Sequence, residues 1–160
     1  MKNITLLLIV ILSSFYTISA QTATIIGVKG GLNLTFVNVS ETIFGENTET
    51  EVGFYGGVYF DLNFGENFHL QPEVLYVSLN DFKFLNAPIY LKYSASEQFD
   101  ILVGPSMNYF FDFFSNKFKV RADLGLNYNF SERLNTHIKY TIGFEEITPN
   151  GLFLGIGYRL

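Results

Sequence analysis

Two histidines, His69 and His137, are the first residues to weigh for chemistry, because an imidazole serves as a general base or a metal ligand near neutral pH. Neither stands in a recognisable spacing with a serine and a carboxylate. The chain contains no HExxH, no clustered metal ligands and no phosphate-cradling glycine loop. Glu145-Glu146 is a carboxylate pair by sequence, but adjacent side chains on extended backbone diverge, and the pair reads as solvated loop. Without a cysteine there is no disulfide, no thiolate metal site and no lipidated mature N-terminal cysteine. The expectation is therefore no catalytic residue, no cofactor and no metal, with both imidazoles placed in a polar interior. An enzyme working on lipid or peptide from the rim of the fold stays open as an alternative.

The elements that position these residues are strands. The segment 151–160 sets Leu152, Leu154, Ile156, Tyr158 and Leu160 against Phe153, Gly155, Gly157 and Arg159, and side chains alternate faces along a strand. The same alternation recurs in segments at about 25–36, 52–64, 68–79, 84–93, 99–111, 118–130 and 134–144. In the sixth, Phe118, Val120, Ala122, Leu124, Leu126, Tyr128 and Phe130 oppose Lys119, Arg121, Asp123, Gly125, Asn127 and Asn129. The third and fifth are less clean, with Leu75, Val77, Leu102 and Phe110 on the polar face. A tilted strand crosses a ~25 Å apolar band in about ten residues, which these segments satisfy. The fold expected is all-β: an eight-stranded antiparallel up-and-down transmembrane β-barrel. A soluble lipocalin-like ligand-binding barrel shows the same alternation inside out. Against it, glycines such as Gly27, Gly31, Gly57, Gly104 and Gly155 gather on the polar face, where a crowded lumen accepts them, and that face is thinly charged.

The connections alternate too. Gly65-Glu66-Asn67, 94–98 and Ser131-Glu132-Arg133 read as tight turns, while 37–51 reads as a long polar loop and 80–83, 112–117 and 145–150 as intermediate ones. Tight turns on the periplasmic side and longer loops outside are the asymmetry of outer-membrane barrels. Aromatic residues cluster at both ends of the segments, as interface girdles require. The outer loops hold Glu41, Glu46, Glu49, Glu51, Asp81, Asp112, Glu145 and Glu146 against Lys83 and Lys117. Such a rim is either simply solvated or binds divalent cations that bridge lipopolysaccharide phosphates, or a basic partner.

Lys2, the apolar run 4–12 and Thr17-Ile18-Ser19-Ala20 before Gln21 fit a secretory signal peptide over 1–20, leaving 21–160 as one barrel domain. A retained anchor helix is the rival, but the apolar run falls short of the ~20 residues a span requires. Charged residues make up 16% and aromatics 18%, against ~25% charged in soluble domains, which suits a lipid-facing exterior. The acidic balance, net −5, argues against nucleic acid as a partner.

Inside such a barrel there is room for side chains and little else. The lumen list is Lys29, Lys92, Lys119, Arg121, Lys139 and Arg159 against Asp61, Glu73, Asp100 and Asp123. Buried charges must be paired, so an ion-pair network that plugs the barrel is expected. If Tyr93 faces Phe99 across its turn, Lys92 falls opposite Asp100; if Phe130 faces Leu134, Lys139 falls diagonal to Asp123.

Gly27-Val28-Lys29-Gly30-Gly31-Leu32-Asn33-Leu34 resembles the opening strand of the PorT-like outer-membrane β-barrel family. Similar stretches follow in order: Gly53-Phe54-Tyr55-Gly56-Gly57, Leu70-Gln71-Pro72-Glu73-Val74-Leu75-Tyr76, Ala87-Pro88-Ile89-Tyr90-Leu91-Lys92-Tyr93, Gly104-Pro105 and Leu154-Gly155-Ile156-Gly157-Tyr158-Arg159. The resemblance implies an OmpA/OmpX-like barrel in a Gram-negative outer membrane, with no catalytic residues to carry over. It also implies a structural, loop-mediated or secretion-accessory role, since the family's namesake is linked to type IX export. Relatives generally end in an aromatic residue read by the barrel-assembly machinery; here Tyr158 and Leu160 stand in that signal. The partners expected are outer-membrane lipid and lipopolysaccharide, the assembly machinery during insertion, and a secretion-system or extracellular protein reached through the loops. A monomer is expected.

Overall fold

The structure, a computed structural model, describes residues 24–41, 45–80, 82–111, 117–144 and 150–160. The expected signal segment 1–20 lies outside them, as do Asp81, Asp112, Glu145 and Glu146. Eight strands follow in order: β1 Thr24–Glu41, β2 Gly45–Asn63, β3 Phe68–Leu79, β4 Phe82–Ser94, β5 Phe99–Phe110, β6 Phe118–Asn129, β7 Leu134–Gly143 and β8 Asn150–Arg159. Each pairs antiparallel with its neighbours in sequence, and β1 closes on β8, giving a closed up-and-down barrel. Closure leaves the barrel wall itself without an open edge.

Alternation sorts the side chains. Ile26, Val28, Leu32, Val58, Leu124, Leu126, Ile138 and Leu154 point outward, while Lys29, Tyr55, Glu73, Tyr90, Asp123 and Phe153 are buried within. A soluble barrel would reverse this arrangement. At the short-turn end, outward rings form a contacting belt: Phe68 packs on Tyr93 (centroids 5.1 Å), Phe99 on Tyr128 (5.0 Å) and Tyr128 on Phe130 (4.9 Å). At the opposite end Tyr109 and Tyr76 both meet Phe111.

Not all the lumen glycines are there to relieve crowding by side chains. A Cβ on Gly31 would stand 2.0 Å from the Leu154 carbonyl oxygen, and one on Gly57 2.0 Å from that of Val74. At these two positions the neighbouring strand's backbone forbids a side chain; at Gly27 it is the ring of Tyr59 that does so.

Two expectations need correction. Within the segment 37–51, residues 37–41 and 45–51 are strand rather than polar loop, and 42–44 lie outside the described residues: the β1–β2 ladder continues from Phe36↔Thr50 through Val37↔Glu49 to Glu41↔Gly45. The last rung of β1 with β8 is Phe36↔Asn150, and the last of β2 with β3 is Gly53↔Leu79. The hairpin thus projects as a two-stranded ribbon past the barrel. Above an apolar band a ladder needs no apolar face, so the strands continue after their alternation fades. The second correction concerns the β4–β5 turn, where Tyr93 pairs with Ile101 rather than with Phe99. The Phe99 carbonyl accepts from the amides of Ala95 and Ser96, and the Ser96 hydroxyl accepts from the amides of Gln98 and Phe99. These bonds tie Phe99 into the turn.

Five strand interfaces have unbroken ladders. The other three each skip two rungs. On β2–β3 the ladder stops at Tyr59↔Glu73 and resumes at Leu62↔Leu70, a gap that contains Pro72. On β3–β4 it skips from Pro72↔Ile89 to Leu75↔Asn86, across Pro88. On β4–β5 it skips from Pro88↔Ser106 to Leu91↔Val103, across Pro105. Proline has no N–H to give a ladder.

Candidate functional site

Nine of the ten lumen residues expected from the sequence lie buried inside the barrel: Lys29, Asp61, Glu73, Lys92, Asp100, Lys119, Arg121, Asp123 and Lys139. Parity places them there, since each follows an outward apolar neighbour on its strand. Arg159 differs. It is only partly buried, and its Nη1 donates to the Glu132 carbonyl at the short-turn end (3.2 Å), because β8 ends there with the turn backbone in reach.

The buried charges form separate clusters. Lys29 Nζ donates to Glu73 Oε1 at 2.5 Å, and Gln71 Nε2 donates to the same oxygen at 2.7 Å. Asp61 bridges Lys92, on one carboxylate oxygen, and His69 Nδ1, on the other at 2.7 Å. Asp123 accepts from Tyr90 Oη (2.7 Å) and Ser106 Oγ (2.8 Å), with Lys139 Nζ 3.4 Å away on the diagonal that the Phe130–Leu134 register implies. Lys139 also donates to Asn86 (2.7 Å), which donates in turn to Asn108 (2.9 Å), and its ammonium sits 3.9 Å from the centre of the Phe153 ring. These neighbours matter because a buried cation is costly unless its hydrogen bonds are met.

Lys92 does not face Asp100. Once Tyr93 pairs with Ile101, Ser94 is the residue opposite Asp100, and it donates to that carboxylate at 2.7 Å alongside Asn129 at 3.1 Å. Lys92 reaches across to Asp61 instead. The hydrogen-bonding roles of Tyr90, Gln71, Ser106, Asn86 and Asn108 escaped the sequence reading. Parity marks them as inward, but only the fold shows which carboxylate each one meets.

The histidines occupy different settings. His69 is held by Asp61 near the short-turn mouth, while His137 is buried and shares a hydrogen bond between its Nε2 and the Tyr55 hydroxyl. Neither has a serine or threonine hydroxyl among its hydrogen-bond partners within the described residues. Among those residues no three His, Asp or Glu side chains converge as metal ligands.

A cavity of about 10 Å3 lies among these clusters, lined in part by Lys29, Tyr55, Glu73, Tyr90, His137 and Lys139. It is about the size of one water molecule. Toward the long-connection end the filling changes: Leu75, Val77, Leu79, Phe84, Phe110 and Phe153 form, with Tyr55, a contiguous apolar cluster. Of the acidic residues expected at the outer rim, only Glu51 has a described side chain, and it accepts from Asn80 Nδ2 at 2.8 Å. At the chain's end, Tyr158 faces outward and Leu160 is exposed, its amide donating to the Ile26 carbonyl at 2.9 Å.

No protein-family model matches the sequence, and no curated protein matches it. Among solved structures the chain is similar to Ail, the attachment invasion locus protein of Yersinia pestis, in complex with the heparin analogue sucrose octasulfate. There the identity is 15%, with 86% of this chain and 99% of that one covered and a TM-score of 0.57. It is also similar to the N-terminal β-barrel domain of Pseudomonas aeruginosa OprF, at 12% identity, 88% and 100% coverage and a TM-score of 0.55. Neisserial surface protein A is similar at 12% identity, 88% and 98% coverage and a TM-score of 0.53. At these identities the likeness is one of fold: the closed eight-stranded barrel of outer-membrane proteins.

Proposed function

We propose that this chain is an exported, monomeric outer-membrane barrel with a plugged interior. Its role is non-enzymatic: it presents the β1–β2 hairpin to a partner outside the cell. The observation that carries this reading is the ladder that runs on from Phe36↔Thr50 to Glu41↔Gly45 after both flanking strands have ended. A ribbon of five further rungs stands roughly 17 Å above its neighbours at the rise of a β-strand. Among the described residues no strand pairs with either of its edges, and such an edge can accept another strand. The segment 37–52 carries Glu41, Glu46, Glu49 and Glu51 and no lysine or arginine, which suits a partner with a basic extended segment.

The paired lumen charges and the one-water cavity support a plug rather than a pore. That neither histidine hydrogen-bonds a serine or threonine hydroxyl within the described residues supports a non-enzyme. The ordered resemblance to PorT-like barrels supports a role as an accessory to secretion, with Tyr158 and Leu160 serving the assembly machinery and lipopolysaccharide surrounding the rim. One experiment tests the core of this reading: unboiled against boiled mobility in SDS of the outer-membrane fraction, for the full chain and for a variant with 37–49 replaced by a two-residue turn. A heat-modifiable band in both, with the secretion or partner-binding phenotype of a deletion strain restored only by the full chain, is the expected result. A soluble periplasmic protein without a mobility shift overturns the membrane reading, and full rescue by the shortened chain overturns the hairpin's role.

A further inference from the structure

The three broken ladders lie side by side on β2–β3, β3–β4 and β4–β5, and at one height. Pro72 pairs with Ile89, and one rung on, Pro88 pairs with Ser106. Ser106 pairs in turn with Arg121 on β6. Each gap omits two rungs, roughly 7 Å of strand, where a proline lacks the N–H that a ladder bond would use. Elsewhere the wall is unbroken.

The same sector is apolar outside, while inside it mixes an apolar cluster with the buried polar side chains of Gln71, Glu73, Asn86, Ser106 and Asn108. Outward lie Val74, Ile89, Val103 and Met107; inward lie Leu75, Val77, Leu79, Phe84, Leu102 and Phe110. The cavity sits directly behind the gaps, for Glu73, Leu75, Tyr90 and Leu102 line it from β3, β4 and β5. A hydrocarbon chain crossing here would meet Val74, Ile89, Val103 and Met107 outside and the cluster of Leu75, Val77, Phe84 and Phe110 within.

A third observation supplies a charge. Arg121 is 2% exposed, and its guanidinium lies 5.3 Å from the centre of the Phe110 ring and 5.8 Å from that of Phe84. Neither Nε nor Nη2 has a hydrogen-bond partner among the described residues. The nearest carboxylate along its strand, Asp123, is taken up by Tyr90, Ser106 and Lys139. A desolvated guanidinium whose donors are unmet favours an oxyanion with two acceptors.

We propose that the β3–β5 wall and Arg121 form a lateral binding site for a single-chain anionic amphiphile, its tail passing between the strands at the proline gaps and its head held by the Arg121 guanidinium. The site is closed in this structure, with the apolar cluster packed and the cavity near 10 Å3, so binding parts the strands where the ladder is interrupted. The inference rests on the membrane reading above, and its test separates the two.

The probe is palmitic acid bearing a mid-chain diazirine, photolysed with the protein in phosphatidylcholine nanodiscs and mapped by peptide mass spectrometry. Adducts are expected on outward Ile101 and Val103, which report embedding, and on inward Leu75, Leu102 and Phe84, which report the site. Unlabelled palmitate or hexadecyl phosphate should compete for the inward adducts, whichever does so more strongly identifying the head group; hexadecanol should not. Arg121→Gln should lower inward labelling by about tenfold, as loss of one charge-assisted pair implies, and leave outward labelling unchanged. Replacing Pro88 and Pro105 together by valine returns two ladder donors and should lower it by about threefold or more. Outward adducts without inward ones overturn the site and leave the membrane barrel standing. Absence of outward adducts overturns both. Equal competition by hexadecanol, or inward labelling indifferent to Arg121→Gln, overturns the role of the charge.

Discussion

The two ends of the lumen are filled by opposite means. Near the short turns, Asp61 gathers Lys92 and His69, and Asp100 is clasped by Ser94 and Asn129, so the carboxylates there are met by polar partners. Toward the other end, β3, β4 and β5 turn Leu75, Val77, Leu79, Phe84 and Phe110 inward and leave one guanidinium among the rings. The exterior does not register the change, because it alternates apolar residues along both halves. The difference teaches that lipid sets only one face of such a barrel. The other face is free to hold a charge lattice or a greasy core, and the two respond to mutation in different ways.

The contrast is broken most severely at the charged end. Asp61→Ala strands Lys92 and His69 together, and we expect a loss of about 3–5 kcal/mol in urea unfolding from phosphatidylcholine vesicles, the cost of an uncompensated buried charge. At the apolar end, Leu75→Ala should cost about 2–4 kcal/mol by the same measurement, from lost contacts and the void left behind. If both variants respond to added salt alike, the distinction between the ends fails. Arg121→Met sharpens it, since removing a cation without a hydrogen-bonded carboxylate should stabilise the barrel by about 1 kcal/mol, opposite in sign to Asp61→Ala. Pro105→Val returns one ladder donor and should add about 0.5–1 kcal/mol. Hydrogen exchange should show the amides around the β4–β5 gap becoming as protected as those of β6–β7, where the ladder is whole. The smallest effect belongs to Leu160→Phe: a change within about 0.5 kcal/mol in stability, read instead as a higher folded yield in vivo. No gain there, together with no loss on deleting Leu160, would remove the end-signal idea.

How far the sequence spoke depended on which face carried the information. Strands crossing the apolar band were legible because lipid imposes period two, and their ends fell within a few residues of those observed. The ribbon beyond Phe36 was not, since Val37, Val39, Thr48 and Thr50 sit among polar neighbours and a ladder in water shows no alternation. Inward residues were legible by parity alone. The two-residue shift at the β4–β5 turn shows the limit: it kept Lys92 and Asp100 inside while changing the residue opposite each. Partners such as Lys92 and Asp61 meet across the lumen, a distance that neither spacing nor alternation encodes. The proline gaps were in plain view as residues, but their alignment at one height exists only once three registers are fixed.

The seam between β1 and β8 has a consequence in time. Gly27 pairs with Arg159, and the Leu160 amide bonds the Ile26 carbonyl, so the first described strand waits for the last. Every other interface joins strands adjacent in the chain and can form as soon as its hairpin is made. Until β8 arrives, the sheet has two open edges and an apolar outer face, the state most prone to join another copy. Closure is therefore the one pairing that must wait for the whole barrel sequence, and until then the edge of β1 that β8 will cover stays open.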